Sequence, residues 1–307
     1  MSKKLSVILP AYNEEENIKI AADTISAILE NENIEYELIF VNDGSKDNTW
    51  KNILEASEKN SSVTGISFSR NFGKEAAIFA GLSESRGDCC AVIDCDLQHP
   101  PEKLVEMYRL WEDGAEVIEG VKSSRGKESF AHSMAAKSFY KIISRAVKID
   151  LSEASDFKLL DRKAVNVLLN IRESNAFFRA LSSWIGFKTA KVEFDVLERT
   201  HGETKWSAKA LVKYAIRNIT SFSSFPLKLI TYLGVLVLFV SIVLGGITLY
   251  QKAIGTSLGG FTTVIVAILF IGSMIMISLG IIGYYISQIY NEIKQRPRYV
   301  ISEKCGK

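Results

Sequence analysis

Apolar and polar positions change period several times along this chain, and each change marks an element. Residues 5–9 form a short apolar run that ends at Pro10, after which Ile18, Ala21, Ala22, Ile25 and Leu29 recur at helical spacing. A second β run covers 36–41 and stops at the turn sequence Asn42-Asp43-Gly44-Ser45. Runs at 63–68, 89–93 and 117–121 predict a third, fourth and fifth strand with helical stretches between, and 191–197 predicts a later strand of the same unit. Strands alternating with helices argue for an α/β fold whose mostly parallel sheet is covered by helices.

After Trp206 the period changes to a helical one. Ala208, Leu211, Val212, Ala215, Ile216 and Ile219 mark an apolar stripe, and Lys209, Lys213 and Arg217 lie on another face. A helix packed on a soluble domain could look the same, but placed just before a long apolar run it reads as interfacial, lying on anionic headgroups. Residues 229–251 and 253–291 then carry no charge at all. Each stretch exceeds the roughly 20 residues that cross a bilayer, and each is apolar all round. The plan is therefore a domain over 1–206, an amphipathic juxtamembrane helix over 207–226, a two-helix transmembrane hairpin over 227–290 (about 229–250 and 262–287) and a tail over 291–307.

Charge orients this plan. Lys209, Lys213, Arg217 and Lys228 precede the first span, and Lys294, Arg296 and Arg298 follow the second, while the connection between spans carries only Lys252. By the positive-inside rule both ends face the cytosol. The N-terminus lacks the long apolar core of a secretory signal. Cys89, Cys90, Cys95 and Cys305 form neither a disulfide framework nor a zinc spacing, and read as thiols in a reducing compartment. A net charge of +2 gives no reason to expect nucleic acid as a partner.

The candidate chemistry collects at predicted strand ends, where open α/β sheets bind ligands. Asp94-Cys95-Asp96-Leu97-Gln98 follows the fourth strand, and its paired carboxylates suit a hard cation, Mg²⁺ or Mn²⁺, that would hold a diphosphate. Pro10-Ala11-Tyr12-Asn13-Glu14 follows the first strand and opens a helix, whose N-terminus favours anions. Asp43 follows the second strand, placed to accept hydrogen bonds from a base or ribose. Arg70-Asn71-Phe72-Gly73-Lys74 follows the third, setting two cations beside a helix start. Each alone is compatible with an ordinary β–α turn; their convergence on successive strand ends favours a site. The three histidines are too scattered for a metal cluster, and Phe177, Phe178 and Trp184 read as packing.

Taken together, the strings LSVILPAYNEEEN (5–17), VNDGS (41–45), RNFGKEAA (70–77), DCDLQHPPE (94–102), DFKLLDR (156–162) and RTHGETKW (199–206) resemble the inverting glycosyltransferases of family 2. With the two C-terminal spans, the chain is similar over nearly its whole length to the bacterial polyprenyl-phosphate glycosyltransferases, the bactoprenol glucosyltransferase group related to dolichol-phosphate mannose synthases. The resemblance implies a GT-A fold in which Pro10, Ala11, Tyr12, Glu14 and Asp43 contact the nucleoside of the donor; Lys74, near the D-x-D, is placed to assist the leaving diphosphate of the nucleotide sugar. It implies that Asp94, Asp96 and Gln98 serve metal and diphosphate. Asp156 would orient the acceptor or act as base, and Arg125, Arg199 and Lys205 would hold the acceptor phosphate. Ser155, Lys158 and Lys122 depart from the glycine and two arginines common in that family, on the acceptor side.

The implied activity is transfer of a sugar, glucose from UDP first among several donors, to undecaprenyl phosphate in the bacterial cytoplasmic membrane, by a self-associating protein. A processive polysaccharide synthase would carry a Gln-x-x-Arg-Trp string, which is absent here. The first β–α turn lacks the G-x-G-x-x-G of a dinucleotide-dependent oxidoreductase. A non-catalytic sugar-nucleotide-binding membrane protein is the alternative of a different class.

Overall fold

The fold is that of a computed structural model, which describes residues 3–122, 155–171, 173, 177–195, 225–255 and 260–306. The chain divides into two units, residues 1–212 with 297–307, and residues 213–296.

One sheet of order β7-β5-β6-β4-β1-β2-β3-β8 organises the first unit. Its strands are β1 (Lys4–Ala11), β2 (Glu35–Asn42), β3 (Val63–Phe68), β4 (Cys89–Val92), β5 (Val117–Lys122), β6 (Lys158–Asp161), β7 (Thr189–Phe194) and β8 (Ile301–Cys305). Helices α1 (Ile18–Asn31), α2 (Thr49–Lys59), α3 (Lys74–Glu84), α4 (Lys103–Glu112), α5 (Arg162–Asn170) and α6 (Phe178–Trp184) connect them. β1 pairs in parallel with β2 and β4, β2 with β3, and β5 with β7. The sheet is thus mostly parallel, as the alternation of periods predicts.

Both faces are covered, which is why β1 and β2 read as continuous apolar runs. Leu38 and Phe40 of β2 join the larger core with Ile18, Ile25 and Leu29 of α1, whereas Ile39 and Val41 face the opposite core with Ala76, Ala77 and Ala80 of α3. Helix α3 sits close on β1: a Cβ on Gly81 would fall 2.4 Å from Ile8 Cγ2. β1 runs one residue past Pro10, which ended the apolar run in the sequence. The missing N–H is tolerated because β4 pairs with β1 only as far as Ile8.

Two short strands escape the pattern of apolar runs. β6 has four residues and passes directly into α5, with the Asp161 side chain accepting from the Lys163 N–H at 2.8 Å, a cap worth about 1 kcal/mol. It lies antiparallel between β4 and β5, with Val92 opposite Lys158 and Cys89 opposite Asp161. β8 lies in the stretch read as a tail, and pairs antiparallel with the edge of β3. Its polar outward positions suit an edge strand: Glu303 accepts from Trp50 Nε1 at 2.9 Å, and Lys304 meets Glu84 at 2.7 Å. Just before it, Tyr299 stacks on Phe68, 5.1 Å between ring centroids.

The second unit consists of α7 (Phe225–Ala253) and α8 (Phe261–Ile293). Both contain segments long and apolar enough to cross a membrane, Ile230–Gln251 and Phe270–Ile293. Their apolar side chains face outward, among them Leu236, Phe239, Leu249, Ile268 and Met276. A core helix of a water-soluble domain would bury them. The amphipathic helix expected over 207–226 lies outside the described residues, except for the start of α7. All four cysteines are free thiols, and three are buried.

Candidate active site

Because β1, β2, β3 and β4 run the same way, the loops that follow them meet along one edge of the sheet. The loop after β1 is stitched to the loop after β2. Asn13, in the left-handed region at φ 54°, donates its N–H to Ser45 Oγ at 2.9 Å, and its side-chain oxygen accepts from the Lys46 N–H at 2.9 Å. Glu14 donates its N–H to Thr49 Oγ1, and its carboxylate accepts from Asn17 Nδ2 at 2.6 Å. Pro10, Ala11, Tyr12 and Glu14 are thereby held beside Asp43.

Asp43 is buried, and its two oxygens accept the N–H groups of Phe72 at 2.6 Å and Gly73 at 2.9 Å. Burial raises its pKa against the pull of those two donors. The aspartate therefore shapes the loop that leads into α3, besides any contact with a nucleoside. Gly44 makes this close approach possible. At φ 63° it is left-handed, and a Cβ there would lie 2.4 Å from the Arg70 carbonyl carbon.

The loop leads to Lys74, the first residue of α3, whose ammonium joins two carboxylates. It lies 2.7 Å from Asp94 Oδ1 and 2.9 Å from Asp156 Oδ2. Asp94 follows β4. Asp156 precedes β6, and because β6 is antiparallel to β4 its beginning lies beside β4's end. Asp156 is also gripped by Arg179 of α6 through a two-pronged bond, Nε to Oδ1 and Nη2 to Oδ2, each 2.8 Å. Such forks are among the stronger polar contacts in proteins. Next to Lys74 in the chain, the Glu75 carboxylate accepts the N–H of Phe178, the neighbour of Arg179, at 2.8 Å.

The charges tune one another. Burial would raise Asp156, but Arg179 and then Lys74 outweigh it and hold the carboxyl well below the usual range. Asp94 is likewise lowered, by Lys74 against burial. Burial opposes the Lys74 charge, and the two aspartates more than restore it, so the ammonium stays protonated. Glu75 behaves differently: burial and then the neighbouring Asp156 charge push it up to about 7. Lys74 remains 42% exposed, so solvent screens these pairs.

Asp96 and Gln98 share the loop of Asp94, the Asp96 carboxylate accepting the Gln98 N–H at 3.1 Å. Leu97 between them is left-handed at φ 51°. Among the described residues no group of three His, Cys, Asp or Glu is arranged to hold a metal by itself. Two carboxylates and an amide oxygen nevertheless fit a hard cation whose remaining ligands come from substrate phosphates. His99 adds to this fit. Packed against Phe157 and Phe194, its buried Nδ1 has no hydrogen-bond partner, and stands 4.0 Å from Asp94. Burial lowers its pKa, although Asp94 opposes this.

Of the residues singled out in the sequence, Lys74, Asp94 and Asp156 are in direct contact, Asp96 and Gln98 adjoin them, and Pro10, Ala11, Tyr12, Glu14 and Asp43 line the same edge. Arg125, Arg199 and Lys205 lie outside the described residues. Arg179 and Glu75 are not among the residues singled out in the sequence. Glu75 sits within RNFGKEAA beside Lys74, a signal that could have found it; Arg179, within a stretch that reads as packing, has none. Two of the three departures from the family pattern are structural. Ser155 Oγ donates to the Gly120 carbonyl at 2.5 Å, and Lys158 is wholly buried against Glu119.

A sheet with nucleotide-type loops at its parallel ends, closed by a D-x-D and a second aspartate, defines a GT-A-like glycosyltransferase domain. Comparison with known proteins gives the family: glycosyl transferase family 2 matches residues 6–169, and the GtrB C-terminal hairpin matches 225–289. The chain belongs to glycosyltransferase family 2, and is an enzyme of that class. It is 37% identical over 300 residues to the prophage bactoprenol glucosyl transferase homolog of Escherichia coli K12, covering 97% of this chain and 98% of the relative. To the bactoprenol glucosyl transferase of Shigella phage SfII it is 36% identical, covering 98% of each. Among solved structures, glucosyl-3-phosphoglycerate synthase of Mycobacterium tuberculosis, in complex with Mn²⁺, UDP and glucosyl-3-phosphoglycerate, superposes with a TM-score of 0.50. That match covers 71% of this chain and 79% of the other at 20% identity, which shows the fold alone.

Proposed function

We propose that this protein transfers glucose from UDP-glucose to a polyprenyl phosphate, undecaprenyl phosphate in bacteria, at the cytosolic face of the membrane and with inversion at the anomeric carbon. The observation that carries the proposal is the Asp94–Lys74–Asp156 bridge. It joins the leaving-group side of the site to the acceptor side in a chain that also bears two apolar helices. The relatives named for bactoprenol glucosyl transfer support the choice of acceptor and sugar.

In this reading Asp94, Asp96 and Gln98 would hold Mg²⁺ or Mn²⁺, and such a cation would supply neutralisation of the charge growing on the departing diphosphate. Tyr12, Glu14 and Asp43 seat the nucleoside. Lys74, beside Asp94 at the start of α3, would meet a phosphate oxygen of the donor. The nucleophile is an oxygen of the lipid phosphate, already largely anionic at neutral pH because its second pKa lies near 6. It needs positioning more than deprotonation. Its oxygen bonds to the anomeric carbon, the bond to the nucleoside diphosphate breaks, and UDP leaves with the electron pair. Asp156, locked as a carboxylate by Arg179, orients the acceptor side, and Arg125, Arg199 and Lys205 bind the acceptor phosphate.

Chain order supports a membrane placement with both ends of the hairpin on one side. β8, which comes after α8, belongs to the same sheet as the strands before α7, so a spanning hairpin would return the chain to the side it left. The excess of Lys and Arg around that hairpin supports the cytosolic side of the bacterial membrane as that side.

The test is to incubate the purified protein with radiolabelled UDP-glucose, Mg²⁺ and undecaprenyl phosphate, then extract with organic solvent. Label entering the lipid phase supports the transferase. Label bound but never transferred, across UDP- and GDP-sugars, supports a binding protein instead.

A further inference from the structure

We infer that Lys158 is a positioning residue for this transfer: its buried ammonium fixes α6 so that Arg179 holds Asp156. The inference rests on the reaction proposed above.

Lys158 opens β6, and none of its side chain reaches solvent. It therefore cannot touch the acceptor, although its place in the sequence pattern lies on the acceptor side. Its ammonium has four partners. One is Glu119 Oε1 on β5, at 2.6 Å. The others come from a single turn of α6: Ser182 Oγ at 2.8 Å, Ser183 Oγ at 3.2 Å and the Arg179 carbonyl at 3.4 Å. Ser183 Oγ in turn donates to Glu119 at 2.9 Å, so strand, lysine and helix close on one another.

Helix α6 needs such a clamp. It has seven residues, too few to be stable alone, so contacts from outside must set its rotation. Lys158 holds the turn from Arg179 to Ser183, and Glu75 holds its first N–H. The residue whose carbonyl meets Lys158 is the one whose guanidinium forks onto Asp156. Asp156 is two residues before Lys158. Contacts and chain thus form a small ring in which a rotation of α6 would open the fork.

Net stability is a poor reason for this buried charge. Desolvating an ion pair roughly offsets its attraction, and apolar replacements of both partners are often neutral or stabilising. What an apolar pair would not supply is a cation that chelates a carbonyl and two hydroxyls of α6.

The experiment is a double-mutant cycle on the full-length protein, with Lys158→Met and Arg179→Ala singly and together, beside Lys158→Arg and Glu119→Leu/Lys158→Met. Lys158→Met should lower kcat about 10- to 100-fold, the range a misplacement of about 1 Å produces, with KM for the sugar nucleotide within about twofold. It should add little to Arg179→Ala. Lys158→Arg should recover most of the rate. The apolar double variant should regain the melting temperature while kcat stays low. Equal losses from Lys158→Met in both Arg179 backgrounds would overturn the inference, as would return of kcat together with stability. Amide hydrogen exchange over 178–184 gives a readout independent of substrate. Faster exchange in Lys158→Met is expected, and unchanged exchange overturns the clamp even if the wild type uses a different acceptor. Failure of the wild type to glycosylate polyprenyl phosphate would count against the proposed reaction alone.

Discussion

The two halves of the sheet build the site by different rules. In β4-β1-β2-β3 every strand points the same way, so each presents its following loop to one edge, and the candidate ligand groups come from residues just after an apolar run. In β7-β5-β6 the middle element of the junction, β6, is reversed, and it contributes the residue that comes before it. Asp94 and Asp156 end up bridged by one ammonium, yet one leaves a strand and the other enters one. The parallel half offers a graded series of loops that can be tuned separately. The mixed half fixes a single carboxylate rigidly, with an arginine fork on one side and a buried lysine behind it.

The largest effects should come from the parallel half. Asp96→Ala should abolish measurable transfer while leaving membrane insertion and melting temperature close to wild type. Mn²⁺ binding in the presence of UDP, followed by the paramagnetic signal of the free ion, should weaken in parallel. Near-normal turnover in this variant would reject the assignment of the D-x-D to metal and diphosphate.

A smaller loss is expected across the junction. Arg179→Ala frees Asp156 from its fork, and should reduce kcat on the order of a hundredfold with little change in KM for the sugar nucleotide. Arg179→Lys should recover only part of that rate, since an ammonium cannot form the two-pronged contact. If the donor KM rises instead, Arg179 belongs to the nucleotide side, and the two halves of the sheet do not divide the labour.

That division also explains what could be read from the sequence. Loops after parallel strands announce themselves, because an apolar run followed by VNDGS or DCDLQ places a polar cluster at a known end of the sheet. The alternation of strands and helices, the helical stripe of α1 and the two long apolar stretches were all legible for the same reason: burial imposes a period on sequence. β6 was not legible, because four residues of strand running straight into a helix carry no period of their own. β8 is hidden for the opposite reason. An edge strand exposes polar side chains, so ISEKC looks like a tail until its backbone is seen bonded to β3. Arg179 depends on a contact between segments 23 residues apart, for which helical or strand spacing offers no guide. Lys158 shows how position alone can mislead, since it lies in an acceptor-side motif and points into the core.

The smallest predicted effect concerns Glu75, the carboxyl at the meeting of the two halves. Its pKa rises from an ordinary 4.5 to about 7 in the folded protein, through burial and then the charge of Asp156. Between those values the folded state keeps a proton that the unfolded state releases. The contribution of Glu75 is therefore fully present below about 4.5, and is lost as pH rises through 7. Asp94 and Asp156 act in the opposite sense and elsewhere. Their lowered values stabilise the fold above the ordinary carboxylate pKa and fail only at more acid pH. Melting temperatures measured from pH 4.5 to 7.5 should therefore fall relative to those of Glu75→Gln, which keeps an acceptor for the Phe178 N–H but cannot ionise. A difference between the two proteins that stays flat across this range would mean that Glu75 is ionised throughout. Phe178 would then be anchored by a full charge, and the start of α6 would owe as much to the parallel half of the sheet as to Lys158.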